Sequence, residues 1–182
     1  MIANDAEFLI GLAGVAATLN GAFIVGVFFY MDSEQHRQLT ASLAADLYLR
    51  AGVRWIFVML AMPMFVSLAL VAMEPLIGAI VFAISSVILI FSTIDTALRI
   101  LAGRGKGTSR TLHVNQWFNA VSVLVIVVLP WVLGGWLPTV EAYVPSLMLS
   151  LVAGFTSTAA LVMAQFDATM GMVQETDRTQ DD

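Results

Sequence analysis

The chain has 182 residues, 59% of them hydrophobic and only 12% charged, and its mean hydropathy is +0.89. A soluble domain carries about 25% charged residues. Half that share leaves too little polar surface to coat a globule in water, so the composition selects an integral membrane protein. Cysteine is absent, which excludes disulfides, thiolate metal sites and dithiol redox pairs.

Eight bases stand against thirteen acids, for a net charge of −5, and Lys106 is the single lysine. An acidic, lysine-poor chain fits a halophilic source, and fits equally an ordinary acidic tail from a GC-rich genome; net charge speaks to solubility and not to fold.

A helix needs about 20 apolar residues to cross a bilayer core of about 30 Å. Residues 8–30 carry no charge and form the first span. This run is long enough to cross and has no basic segment before it, so it reads as a span and not as a cleaved leader. Within it, "GLAGVAATLNGAFIVG" holds four glycines and one asparagine. At about 100° per residue, Gly11, Gly14, Ala17, Thr18 and Gly21 share one face, while Leu12, Val15, Leu19 and Phe23 share another. The small residues follow i, i+3, i+7, i+10, the spacing of a left-handed helix crossing. In lipid, close backbone approach supplies the attraction between apolar helices, so this seam marks a helix contact. Asn20 lies on neither face and is expected to meet hydroxyls of span three or five.

Residues 31–54 are expected to hold a short amphipathic cytoplasmic helix. Asp32 or Ser33 is a cap, with Gln35 three residues after Asp32. Leu39, Leu43 and Leu47 then recur opposite Arg37 and Asp46. Gly52 is the joint if this helix runs on into span two.

Residues 55–94 are apolar except for Glu74-Pro75, and at about 1.5 Å per residue the run is twice too long for one crossing. "MEPL" is its turn signal, so span two covers about 55–73 and span three about 76–94. Asp95 and Arg99 then extend span three as an i, i+4 pair. Residues 117–165 repeat the pattern, broken at "GGWLPTVEAYVP", giving span four at about 117–133 and span five at about 144–164. Residues 165–182 form a polar, acidic cytoplasmic tail. The two hairpins share a layout: an interfacial Trp55 or Trp117, a proline at Pro63 or Pro130, and a closing "STIDTA" or "AQFDAT". This raises a parallel repeat with one added helix.

Charges orient the bundle. Arg37, Arg50, Arg54, Arg99, Arg104, Lys106, Arg110 and Arg178 all fall on one side, and Asp5, Glu7, Glu74 and Glu141 on the other. The positive-inside rule makes the basic side cytoplasmic, with the N-terminus outside and the C-terminus inside. Tyr30, Trp55 and Trp117 mark the inner interface, and Trp136 and Tyr143 the outer one. Trp117 and Trp136 lie about 28 Å apart along a helix, which matches the bilayer.

The motifs that suggest chemistry are weak. "GRGKGTS" at 103–109 lacks the strand and the spacing of a phosphate-binding loop. Its bases, Arg104 and Lys106, with Arg110, suit anionic lipid headgroups, at about 1 kcal/mol per base. His36 and His113 lie in separate cytoplasmic segments with no third ligand, so no metal or haem site is expected. Asp95 and Asp167 sit at inner helix ends without the glycine-aspartate motifs of intramembrane proteases. No span holds an ionisable residue away from its ends, which argues against proton relays and ion-coupled transport. The lone lysine lies in a loop, so a retinal Schiff base has no anchor.

The polar groups inside are neutral: Asn20 in span one, Ser85 and Ser86 in span three, Asn119 and Ser122 in span four, Thr156, Ser157 and Thr158 in span five. Pro63 and Pro130 strip the carbonyls of Met59 and Ile126 of a helix partner. The expected fold is all-α with five transmembrane helices. The expected function is a non-enzymatic interaction or assembly component in the cell membrane, without cofactor, metal or nucleic acid. It would self-associate or bind a membrane partner through the span-one seam. The alternative is a small oligomeric channel or facilitator with a neutral polar centre, and a lipid-acting enzyme is a distant third.

Overall fold

The computed structural model describes residues 3–32, 43–102 and 110–180, with side chains over 5–31, 50–98 and 117–163. All described secondary structure is helical: α1 (Ala3–Asp32), α2 (Leu43–Ala72), α3 (Pro75–Ala102), α4 (Arg110–Gly134) and α5 (Val140–Gln180). Each contains a stretch long and apolar enough to cross a membrane: Asp5–Met31, Arg50–Ala72, Pro75–Leu98, Trp117–Gly134 and Val140–Met163. These agree with the expected spans to within a few residues at most ends.

The breaks have local causes. The Glu74 carbonyl accepts from the Ile77 and Gly78 amides at 2.9 and 3.2 Å, so Glu74 caps α3. Pro75 then takes the first helical position, where its missing N–H costs nothing. Gly135 closes α4 with φ at 69° and donates its amide to the Trp131 carbonyl at 3.0 Å. That left-handed conformation favours glycine. Thr139 starts α5, its carbonyl accepting from the Ala142 amide at 3.0 Å.

Two helices extend past the expected span limits, the first by running on into span two as the sequence allowed. The segment 33–42 lies outside the described residues, and from Leu43 the chain is one helix with span two, without a break at Gly52. The acidic tail also continues α5 as helix to Gln180. At 41 residues, α5 is about 60 Å long, twice the hydrocarbon thickness.

α2 is the central helix and packs along α1, α3 and α5. α4 packs mainly on α5 and touches α3 only lightly. Contacts set the levels. Gly78 lies against Leu70, the Phe82 ring meets Tyr143 edge-on at 5.1 Å between centroids, and Gly154 abuts Leu60 and Met59. α2 and α5 therefore run antiparallel, with both tight turns at one end of the bundle. The core follows α2, from Trp55 and Ile56 through Met59, Leu60, Val66 and Leu70, against Leu9 and Leu12, Phe82 and Leu89, Ile126 and Leu147. The outward faces of α3 and α4 carry Ile80, Ile84, Val87, Phe91, Leu124 and Val132, as surfaces bathed in lipid require.

Candidate contact face and polar interior

α1 presents two faces of opposite character. Leu9, Leu12, Ala13, Ala16, Asn20 and Phe23 are buried against the bundle. Gly11, Gly14, Ala17, Thr18 and Gly21 are all exposed on the far side. A methyl group added at Gly11, Gly14 or Gly21 would meet nothing within 4 Å. The Thr18 hydroxyl donates to the Gly14 carbonyl at 2.9 Å, so this face leaves no hydroxyl proton unsatisfied. Exposed Phe8, Ile10, Val15 and Ile24 lie around these small residues on the outer surface of α1. The result is an outer stretch of small side chains and bare backbone with open space above it. The bulky stripe read from the sequence divides: Leu12 and Phe23 point inward, Leu19 is half-buried, and Val15 is exposed.

The glycines and small residues that mediate contact inside the chain are different ones. Gly154 faces Leu60, where an added Cβ would stand 2.8 Å from a Leu60 methyl and 3.4 Å from the Met59 Cβ. Gly78 receives Leu70 just as closely. On α5, Ser146, Ser150 and Gly154 are buried at a spacing of four. This is the small-residue pattern that lets helices approach in lipid. The pattern is visible in the sequence, but the glycine-rich first span is the louder signal.

Pro63 carries a consequence across the interface. It cannot donate to the Met59 carbonyl, and the Ser150 hydroxyl of α5 does so instead, at 2.7 Å. At the other end of α2, the Trp55 indole N–H donates to the Thr93 hydroxyl at 2.9 Å, which donates on to the Leu89 carbonyl at 2.8 Å. Arg54 forms an ion pair with Asp95 there. Asp95 thus engages α2, and the Asp167 side chain lies outside the described residues. Among the described residues no cluster of His, Asp or Glu could hold a metal ion.

The polar residues expected to be buried divide. Asn20 and Ser86 are buried and their side-chain oxygens lack partners. Ser85 and Ser157 are half-buried. Thr156 corrects the expectation: it is exposed, and its hydroxyl turns back to the Val152 and Ala153 carbonyls of its own helix. Asn20 meets no hydroxyl of span three or five, because α1 packs on α2 and only to a lesser extent on α5. Two aromatics also differ from the interfacial role assigned to them. Trp55 is buried between α2 and α3, and Tyr143 is buried against Phe82. Trp117 and Trp136 are exposed, as interfacial anchors are. Arg104 and Lys106 lie outside the described residues, as does the side chain of Arg110. No known protein family, curated protein or solved structure matches this chain.

Proposed function

We propose that this chain is a non-enzymatic multi-pass membrane protein that acts as an interaction or assembly component, and that the outward seam of α1 is its contact face. The observation that carries the reading is that Gly11, Gly14, Ala17, Thr18 and Gly21 are exposed while Leu9, Leu12, Ala13, Ala16, Asn20 and Phe23 form the inward side of α1. Lipid chains pack poorly on bare backbone, and another helix packs on it well. The occupant is a second copy of the chain or a helix of a partner membrane protein. The orientation we propose has the N-terminus outside and the C-terminus in the cytoplasm of a cell's plasma membrane. Arg104, Lys106 and Arg110 then meet anionic headgroups on the inner leaflet. Support for this comes from the confinement of all eight bases to one side.

Gly14→Leu combined with Gly21→Leu covers this stretch with bulk. Oligomer size in mild detergent and in native lipid nanodiscs should fall to the monomer, or a co-purifying membrane partner should be lost. An unchanged assembly overturns the proposal. The alternative, a small oligomeric facilitator, predicts solute or ion flux above empty liposomes that Asn20→Leu reduces. Its polar centre is weakened by the outward position of Thr156.

A further inference from the structure

The α2–α5 interface is unequal along its length, and Pro63 marks the division. On the loop side of Pro63 the α2–α5 contact is paired, while the Ser92 hydroxyl of α3 is buried at that level without a partner. Ser150 serves the Met59 carbonyl, Trp55 serves Thr93, and Arg54 meets Asp95. On the turn side, the reverse holds. Ser67 of α2 and Ser146 of α5 are fully buried and Tyr143 is 1% exposed, and none of the three hydroxyls has a partner. The registers place them together in that half of the bundle. Ser146 and Tyr143 lie one and two turns beyond Ser150 on α5, and Ser67 lies one turn beyond Pro63 on α2. The Phe82–Tyr143 contact fixes the level. A serine in a transmembrane helix ordinarily donates to the carbonyl one turn back, as Thr96 does to Ser92 here at 2.8 Å. Three hydroxyls that satisfy neither their own helix nor each other favour an arrangement that hydrates them.

We infer that the turn-side half of the bundle opens about Pro63, and that Ser67, Tyr143 and Ser146 line the water-filled vestibule this creates. A proline interrupts the hydrogen-bond ladder and is the usual site of bending in a helix. Ser150 locks the loop side of the break by holding the Met59 carbonyl, so bending moves the other half. Opening exchanges an apolar contact holding unpaired hydroxyls for hydrated ones. The vestibule takes water and, by the same chemistry, small neutral hydrogen-bonding solutes. It is independent of the α1 seam, which lies on another face of the bundle.

The chain has no cysteine, so single replacements report without background. In lipid nanodiscs, where both faces meet solvent, a membrane-impermeant thiol reagent is applied to Ser67→Cys, Ser146→Cys, buried Ile56→Cys on the loop side, and exposed Trp136→Cys. Ser67→Cys and Ser146→Cys should react at about 0.1–10% of the Trp136→Cys rate, the share of a minor open state, and clearly faster than Ile56→Cys. Adding Pro63→Ala, which restores the helix donor, should slow both. Reaction no faster than at Ile56→Cys overturns the vestibule, and rates indifferent to Pro63→Ala overturn the hinge. Hydrogen exchange on the unaltered protein supplies a second measurement. Amides of 64–72 should exchange faster than those of 54–61, and equal protection contradicts the opening.

Discussion

Ser150 is the residue on which the α2–α5 contact turns. Its hydroxyl replaces the donor that Pro63 removes, so the two residues are energetically coupled although they sit on different helices. Ser150→Ala should cost about 1 kcal/mol, within the range measured for interhelical hydrogen bonds in lipid. In a Pro63→Ala background the restored backbone amide recovers the Met59 carbonyl, and the same change should cost close to nothing. A double-mutant cycle on unfolding in mixed micelles checks this, and equal costs in both backgrounds would refute the donor role. Trp55→Phe should lose about 0.5–1.5 kcal/mol by removing the bond to Thr93. Arg54–Asp95 matters less. Its arginine side chain is 51% exposed, and solvent-screened pairs are worth about 0–1 kcal/mol.

Among elements, α1 and α5 show why glycine content alone misleads. Both carry small residues at helix-contact spacing, but Gly11, Gly14 and Gly21 of α1 face open space while Gly154 of α5 meets another helix of the same chain. Gly154→Leu should therefore destabilise the monomer by about 1–3 kcal/mol through overpacking against Leu60 and Met59. Gly11→Leu faces open space and should leave monomer stability within about 0.5 kcal/mol. Thermal unfolding of the two variants under monomeric conditions separates them. Similar losses would mean that the α1 seam is internal after all. The two hairpins, alike in sequence layout, also diverge in use. Trp55 is a buried hydrogen-bond donor and Trp117 an exposed side chain, because α2 lies at the centre of the bundle and α4 at its edge.

At the scale of the whole molecule, the charge distribution makes a directional prediction. In intact cells, an impermeant thiol reagent added outside should label Trp136→Cys, at the turn end, and spare Trp117→Cys, at the loop end. Disrupting the membrane should then expose Trp117→Cys. The opposite pattern would reverse the orientation and with it the headgroup assignment of Arg104, Lys106 and Arg110. Both tryptophans are well exposed, so folding is not at stake in either replacement.

Span number, span limits and the two turns were legible in the chain alone. Apolar runs measured against the bilayer thickness, with Pro75 and Gly135 as breaks, leave few other solutions. The existence of a small-residue face on α1 was legible too, since helical periodicity sets which residues share a face. Its direction was not, because periodicity cannot say which face meets a neighbour. Leu9, Ala13, Ala16 and Asn20 pack inward against α2 and α5, and this turns Gly11, Gly14 and Gly21 outward. The pairing of Ser150 with Met59 was half visible. Pro63 announced a carbonyl in need of a donor, but the donor lies 91 residues away, and the tertiary antiparallel register of α2 and α5 alone brings it there.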